Sequence, residues 1–530
     1  MRPARLRVRF RSYLMAYAAI VTFTVLSHGP LLRLPFHWDE MGQFIPAALD
    51  IYRQGAWIPH STNPNVHPPG VMAYLATIWH IVGFSVVATR VAMLLVAAFG
   101  VLTTFLLAIE LSRGCQGTPA FGAAVFTLIS PLFFAQAMLA QLDMPAMCFS
   151  ALALLLFLQE RHRDSALACV ALVLAKETGI VVPALFGAWL VVERRPKLAA
   201  WFALPLLPLL GWLAILKHGT GHWFGNQEFT DYNLIYLIQP VRLATAFVRR
   251  LYYVFVADGH FVGTAAFVWA VRRVPQFRSR AWRVSASFVA VHVAVFSVLG
   301  GAILERYMLP VLPVLYSAFA ISMTALLPRL RRPATALVLA ALLAANWINP
   351  PYPFPLEDNL LFTSFVELGS KAAGSIELRR GTIATTFPFS AALRHPEYGY
   401  VSKERDVVEL AGFHEQDIAP LQDKRPDMIV VYDTVWDPLG ILRSGPARWL
   451  QETYFGYKPQ LSARAVADRL SMRVVHEWHQ RGLTISLLAR GPFPRTYFLK
   501  KMDLGIMPCT PFLPSTSCVM EKSAATLDNM

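Results

Sequence analysis

The chain has few charged residues for its length. Only 15% of its 530 residues are charged, whereas ordinary soluble domains carry about 25%. Hydrophobic residues make up 55% of the chain and the mean hydropathy is +0.44. A water-soluble fold of this size cannot bury that much apolar surface. A soluble multidomain protein is therefore excluded, and we expect most of the chain to lie in a lipid bilayer.

Cysteines are also few, and their number excludes two further classes of site. The 5 cysteines follow no metal-ligand spacing and cannot form a disulfide framework. Acidic residues are outnumbered by basic ones, which gives a net charge of +15. The basic residues fall in short clusters between apolar segments, as topology determinants do. We therefore predict no nucleic-acid partner.

The apolar segments predict a polytopic membrane protein. The N-terminus carries arginines before the first segment and no small-residue cleavage site after it, which predicts an uncleaved helix and a cytoplasmic N-terminus. Segment 66–87 contains Pro68-Pro69, and only its placement along the outer surface puts all later basic clusters inside. About eleven spans then remain. They are 13–29, 91–109, 120–139, 144–159, 166–175, 178–192, 198–216, 251–271, 284–304, 307–328 and 333–347.

One pair of these segments forms a short hairpin. Basic residues flank it on both sides, so both ends are predicted to be cytoplasmic and Lys176-Glu177 lies at the apex. Each arm has only about 10–15 residues, fewer than the ~20 needed to cross a bilayer. The apex is therefore expected below the outer surface, where charged groups line a wet cavity or meet a partner.

The composition changes after Trp347, which predicts a second folded part. Residues 382–387 and 428–433 are predicted as buried strands, and 473–490 as a β-hairpin. An odd number of spans puts this part outside the cytoplasm. The predicted parts are a membrane domain 1–348 with a large first outer loop 30–90, a Pro-rich linker 349–358, a soluble α/β domain 359–500 and a disordered tail 501–530.

The predicted topology collects ionisable residues on the outer face. They are Asp39, Glu40, His67, Asp143, Lys176, Glu177, Arg306 and Tyr307. All of them except Tyr307 have a structural alternative that stays open. The acidic residues could cap helix N-termini, the Lys-Glu pair could close the hairpin, the histidine before two prolines could shape a turn, and the arginine could extend to the interface.

The order of these residues resembles the polytopic glycosyltransferases of the GT-C class, especially the protein O-mannosyltransferases and the lipid A aminoarabinose transferases. That family has Asp-Glu in a large first outer loop, His-Pro-Pro before a juxtamembrane helix, a second aspartate in the next outer loop, and Arg-Tyr-x-x-Pro-x-x-Pro at a late helix. Gly70 departs from the family pattern, which has a bulky apolar residue there. The resemblance covers about residues 1–350 and rests on Asp39-Glu40, His67-Pro68-Pro69, Asp143 and 306–313 (RYMLPVLP).

The resemblance implies transfer of a sugar from a polyprenyl-phosphate carrier to an acceptor hydroxyl at the outer face of the cell (inner) membrane, with inversion. It implies that Asp39 is the catalytic base, with Glu40 and Asp143 as further catalytic residues. A leaving phosphate needs preorganised cationic donors, which adds Lys176 and Arg306.

Three further residues complete the predicted site. Tyr307 joins the phosphate site, and His67 and Glu177 are additional candidates. No cofactor is assigned, but a divalent cation held by Asp39, Glu40 and Asp143 stays open. The expected partners are the lipid-linked sugar, a lipid, glycan or protein acceptor, and the bilayer.

Two other functions compete with this one. A transporter would use the intramembrane Asp258 and His260 together with Lys176-Glu177 as a substrate or proton path. Large outer loops and a soluble outer domain count against that function. A non-catalytic scaffold for envelope assembly is the second alternative.

Overall fold

A computed structural model describes residues 3–115, 117–236, 238–299, 303–348, 357–377, 379–435 and 437–491, with side chains from residue 11 onward. Most of the predicted linker and the whole predicted tail lie outside these ranges. The helices of the first part are α1 Pro3–Ser27, α2 Ile45–Gln54, α3 Gly70–Val82, α4 Val86–Leu111, α5 Pro119–Ile129, α6 Pro131–Gln136, α7 Asp143–Leu158, α8 His162–Ala175, α9 Val181–Val192, α10 Pro196–Ala199, α11 Leu206–Thr220, α12 Gln227–Thr230, α13 Pro240–Phe255, α14 His260–Ala270, α15 Arg280–Val298, α16 Leu312–Ala325 and α17 Pro328–Ala345.

Several of these helices have the length and hydropathy of membrane spans. Within the described ranges, five helical stretches qualify: Val86–Leu111, Pro196–Thr220, Pro240–Ala270, Arg280–Val298 and Glu305–Ala325. Large apolar side chains stay exposed on them, such as Leu207 and Leu210 of α11, as expected of a lipid-facing surface. The chain is therefore an integral membrane protein. Each predicted segment contains a helix, but the number that crosses the bilayer stays a prediction.

Two of the predicted spans contain a break whose cause is visible in the structure. The segment 251–271 breaks between α13 and α14, where Asp258 and Gly259 both have positive φ. A Cβ on Gly259 would lie 2.7 Å from the backbone carbon of Ala341, so only glycine allows α17 to approach this closely. The segment 120–139 breaks before Pro131, because proline at this position cannot continue the hydrogen bonds of α5.

The C-terminal part contains a mixed five-stranded sheet in the order β2-β1-β3-β5-β4. Strand β1 pairs in parallel with β2 and β3, whereas β5 pairs antiparallel with β3 and β4. Its elements are α18 Leu361–Glu377, β1 Ile383–Thr386, α19 Phe389–Arg394, β2 Val407–Leu410, α20 Glu415–Ile418, α21 Leu421–Lys424, β3 Met428–Asp433, α22 Gly445–Tyr454, α23 Ala463–Arg469, β4 Arg473–Gln480 and β5 Leu483–Ala489.

The strands predicted from sequence are confirmed as β1, β3 and the hairpin of β4 and β5. Strand β2 was not predicted. It lies at the edge of the sheet, and of its four residues only Leu410 is fully buried, so it lacks the apolar signal of a central strand.

The two parts of the molecule share one hydrophobic core. A single cluster of buried residues runs from α3 and α4, through the first loop, to α18 and the sheet. In this cluster Phe36 of the first loop lies against Tyr398. The adjacent His37 lies against two members of the cluster, Phe362 and Phe365 of α18. The first loop is therefore held between the membrane helices and the C-terminal part.

Candidate active site

A cavity of about 2020 Å³ lies between the membrane helices and the C-terminal part. It is larger than the ~300–1,000 Å³ of a usual small-ligand pocket. Seven of the residues predicted from sequence line it, although they come from five separate segments of the chain. They are Asp39, His67, Asp143, Lys176, Glu177, Arg306 and Tyr307.

Arg306 lies at the centre of the ionic groups in this cavity. It belongs to the short 3-10 helix Glu305–Val311 that precedes α16, and its side chain is only 6% exposed. The guanidinium donates hydrogen bonds to the carboxylates of Asp39 and Glu357. Its Nε lies 3.3 Å from Oδ2 of Asp143. Three carboxylates from distant segments therefore meet on one cation, as the forked geometry of arginine allows.

Lys176 is the second buried cation of the site. Its Nζ lies 2.5 Å from Oδ1 of Asp143 and 4.3 Å from the ring centroid of Tyr307. Its neighbour Glu177 instead lies 2.8 Å from Nδ1 of His67. The structural alternative in which Lys176 and Glu177 pair with each other is therefore not the arrangement found, since each has a partner from another loop.

Gly70 explains how these two loops come close enough to touch. A Cβ on Gly70 would lie 2.4 Å from the carbonyl oxygen of Leu174, a distance that any side chain would forbid. The glycine lets the start of α3 pack directly on the end of α8. His67, just before α3, and Glu177, just after α8, thereby reach each other, which gives the departure from the family pattern a structural reason.

Glu40 is not among the residues that line the cavity. Its carboxylate lies 2.5 Å from Nη1 of Arg90 and accepts hydrogen bonds from the backbone N–H groups of His37 and Ala140. Glu40 and Arg90 are both fully buried. The pair holds the first loop to α4 and to the segment before α7. Arg90 was missed because it precedes the predicted span 91–109, although an arginine beside a long apolar segment is a recognisable signal.

Glu357 is a further cavity residue that sequence reasoning missed. Besides Arg306, its carboxylate accepts a hydrogen bond of 3.0 Å from Gln141. Burial raises the pKa of Glu357 to about 7, against the opposing effect of the Arg306 charge. Burial and the hydrogen-bonded carboxyl of Glu305 likewise raise the pKa of Asp358 well above its usual range. No sequence signal marks this segment, because it falls in the predicted Pro-rich linker.

His37 remains neutral beside these charges. Burial, together with the charges of Arg90 and Arg306, lowers the pKa of His37 to about 3. Its Nε2 lies 3.9 Å from Oε1 of Glu357, so this contact is not an ion pair at neutral pH.

The three carboxylates considered for a divalent cation do not fit one. Asp39 and Asp143 bind Arg306, and Glu40 binds Arg90 at a separate position. A cationic side chain thus occupies at least one oxygen of each of the three carboxylates, which disfavours a divalent cation there. Over the described ranges of the chain, no three His, Cys, Asp or Glu side chains are grouped to hold a metal.

The two intramembrane residues of the alternative transport path, Asp258 and His260, lie outside the cavity. Nε2 of His260 is 2.8 Å from the hydroxyl of Tyr316, and its Nδ1 is 2.9 Å from the carbonyl oxygen of Tyr253. Neither His260 nor Asp258 is among the residues lining the cavity with Lys176. These contacts give His260 a packing role between α14 and α16.

Solved structures with a similar fold include two of ArnT from Cupriavidus metallidurans. The one bound to undecaprenyl phosphate has a TM-score of 0.52 and 14% identity over 90% of this chain and 98% of that chain. The apo state has a TM-score of 0.53 at the same identity and coverage. The archaeal oligosaccharyltransferase AglB from Archaeoglobus fulgidus, in complex with an inhibitory peptide and a dolichol-phosphate, has a TM-score of 0.46, 10% identity and coverage of 80% and 69%.

No protein-family profile and no curated protein sequence matches the chain. The expected likeness to GT-C membrane glycosyltransferases is confirmed at the level of fold. It extends beyond residues 1–350, because the alignment with ArnT covers 90% of the chain. The chain therefore shares the fold of ArnT over most of its length.

Proposed function

We propose that this protein is a membrane glycosyltransferase that takes a sugar from a polyprenyl-phosphate carrier and transfers it to an acceptor hydroxyl at the outer face. The observation that carries the proposal is the meeting of Asp39, Lys176 and Arg306 in one cavity. A carboxylate and two cations are the groups that such a transfer requires. The undecaprenyl phosphate bound to ArnT, which has the same fold, supports a polyprenyl-phosphate ligand.

The donor phosphate is expected to bind at Lys176 and Arg306. Both cations are buried, so their attraction for a phosphate is little screened by water. Tyr307 lies under the ammonium and completes this side of the site. The apolar residues Leu209 and Leu213 of α11 line the same cavity and offer a surface for the polyprenyl chain.

Asp39 is the proposed base. Its side chain is 25% exposed, against 6% for Asp143. Oδ2 accepts from Arg306, while Oδ1 has no hydrogen-bond partner among the residues that the structure describes. Oδ1 can therefore accept the proton of an acceptor hydroxyl.

The reaction follows from these positions as a single displacement. The acceptor oxygen forms a bond to the anomeric carbon while the bond from that carbon to the phosphate oxygen breaks. The phosphate leaves with the electron pair towards Lys176 and Arg306, and the proton goes to Asp39. One displacement inverts the anomeric centre.

The remaining candidate residues are assigned supporting roles. Asp143 bridges Lys176 and Arg306 and fixes their separation. His67 and Glu177 hold the first loop to the hairpin apex. Glu40 anchors the first loop through Arg90. The active site and the C-terminal part are proposed to lie outside the cytoplasm. A reporter fused after Asp358 is expected to give an extracytoplasmic signal.

The test is release of undecaprenyl phosphate by purified protein in nanodiscs. A panel of undecaprenyl-phosphate-linked hexoses and pentoses is offered with lipid, glycan and peptide acceptors, and products are measured by mass spectrometry. Release that depends on one acceptor class supports the proposal. Movement of substrate across sealed vesicles without release would establish the transporter instead. If the protein shows neither activity, the non-catalytic scaffold is the function that remains. Asp164→Asn, remote from the cavity, is the matched control for Asp39→Asn.

A further inference from the structure

Trp38 has an unusual backbone conformation next to the proposed base. Its φ is +41°, a left-handed value that is rare for a bulky residue and occurs where the surroundings enforce it. The Trp38 carbonyl oxygen accepts hydrogen bonds from the N–H groups of Met41 and Gly42, at 2.9 and 3.0 Å. This turn sends the carboxylate of Asp39 towards Arg306 and that of the next residue, Glu40, towards Arg90.

Two aromatic rings of the C-terminal part pack against Trp38. The ring of Phe387, which follows β1, meets the Trp38 ring edge-on at 5.8 Å between centroids and 82°. The ring of Phe365 on α18 lies at 6.1 Å. The same Phe387 ring lies 3.0 Å from where a Cβ on Gly42 would be, so the helical turn after Asp39 sits directly on it.

The chain before Trp38 is also held by the C-terminal part. The N–H of Phe36 donates to the carbonyl oxygen of Tyr398 at 3.1 Å, and the hydroxyl of Tyr400 donates to the carbonyl oxygen of Phe36 at 3.1 Å. The C-terminal part therefore contacts the first loop on both sides of Trp38, at Phe36 before it and at Gly42 after it.

We propose that Trp38 is a positioning residue through which the aromatic side chains Phe365 and Phe387 of the C-terminal part hold Asp39 in its reactive orientation. The inference rests on the proposed function, since it takes Asp39 to be the base. Neither phenylalanine is among the residues lining the cavity. Their influence on the reaction therefore passes through the first loop, where both rings meet Trp38, and this gives the C-terminal part a role in catalysis.

The first arm of the test compares Trp38→Ala with the conservative Trp38→Phe. Turnover of the donor panel is expected to fall by roughly 10- to 100-fold in Trp38→Ala, because a misplacement of about 1 Å can cost that much. Trp38→Phe should recover most of the loss. Binding of undecaprenyl phosphate should stay within a few-fold, since Lys176 is untouched. Trp57→Ala, an exposed tryptophan of the same loop, is the matched control and should behave like the parent protein.

The second arm shows whether Trp38 acts through Asp39. In a double-mutant cycle, Trp38→Ala should cost little further turnover when Asp39→Asn is already present. The same double-mutant cycle can be measured through the thermal stability of the four proteins, which does not require any turnover. The loss of stability from Asp39→Asn should be smaller in the Trp38→Ala background, because Asp39 is then no longer held on Arg306.

The outcomes separate the two claims. Normal turnover in Trp38→Ala, with an inactive Asp39→Asn, would overturn the role of Trp38 and leave the proposed function intact. Normal turnover in Asp39→Asn would instead remove the proposed base. Additive effects in the unfolding cycle would overturn the positioning role whether or not turnover is found.

Discussion

Two networks in which arginine side chains pair with carboxylates differ in their surroundings. The first, which we call the rim network, consists of Arg195, Arg280, Glu160 and Glu193. Arg280 binds Glu193 through two hydrogen bonds of 2.6 and 2.8 Å. Arg280 also meets Glu160, which binds Arg195. The second, which we call the cavity network, consists of Arg306 and the three carboxylates that it binds, Asp39, Asp143 and Glu357. The side chains of the rim network are 26–46% exposed, whereas Arg306 is 6% exposed.

This difference separates the expected roles of the two networks. Hydrogen bonds from Arg280 lower the pKa of Glu193 to about 2, but water screens pairs this exposed. In the cavity network the charges are largely out of water and face a large cavity. Burying charged groups is costly even when they are paired. A network that is kept buried at the wall of a cavity is therefore the one expected to serve a reaction. The predictions below change one network at a time.

The largest effect is expected for the proposed base. Asp39→Asn keeps the size of the side chain but cannot accept a proton, so turnover should fall by roughly 10²–10⁴. Binding of undecaprenyl phosphate should not weaken, because Lys176 and Arg306 remain. Turnover of the donor panel is measured alongside the control Asp164→Asn. A folded Asp39→Asn protein with normal turnover would reduce Asp39 to a structural partner of Arg306.

The partner of Lys176 can be identified by rescue. Lys176→Met removes one partner of a buried pair, a class of change that costs about 3–5 kcal/mol when nothing else compensates. Because Lys176 binds Asp143, the double change Lys176→Met/Asp143→Asn should recover more thermal stability than Lys176→Met/Glu177→Leu. Equal or better recovery with Glu177→Leu would restore the hairpin pair as the correct description.

Glu357 should make stability depend on pH. Burial raises its pKa to about 7, above the unfolded value of about 4.3. The folded state therefore favours the neutral carboxyl. This stabilisation is fully present below about pH 4.3 and is lost as the pH rises through about 7. As the pH rises from 5 to 8, the unfolding temperature of the parent protein should fall relative to that of Glu357→Gln. The exposed Glu409→Gln is the control, and parallel pH curves for parent and Glu357→Gln would contradict the assignment.

The smallest effect is expected in the rim network. Arg280→Gln should change the free energy of unfolding by no more than about 1 kcal/mol, as is usual for exposed pairs. Turnover should be unchanged, because Arg280 does not line the cavity. Thermal unfolding and the release assay measure both quantities. A loss of turnover comparable to that of Lys176→Met would erase the distinction between the two networks.

Hydropathy and the pattern of apolar and polar residues were sufficient to predict much of the fold. Each apolar segment contains a helix, and β3 begins and ends at the predicted residues, 428 and 433. The failures have local causes. The break at Asp258 and Gly259 depends on the close approach of α17, which is a tertiary contact that a hydropathy pattern cannot reveal. Strand β2 is a short, half-exposed edge strand.

The candidate site was predictable as a set of residues but not as a set of partners. Their order along the chain indicated seven of the cavity residues. Which carboxylate meets which cation depends on how loops distant in sequence pack, so Lys176 was weighed with Glu177 although it meets Asp143. Glu357 gave no pattern of its own, and the signal of Arg90, an arginine beside a long apolar segment, did not indicate its partner. They become candidates only because the fold brings them to Arg306 and Glu40.

The central claim is that the cavity network, and not the rim network, receives the lipid-linked phosphate. The most direct measurement is the dissociation constant of undecaprenyl phosphate for the parent protein, Lys176→Met and Arg280→Gln in nanodiscs. Loss of one charge-assisted hydrogen bond, about 1.5–3 kcal/mol, predicts roughly 10- to 100-fold weaker binding for Lys176→Met. Arg280→Gln should bind like the parent protein. Equal dissociation constants for all three proteins would contradict the account.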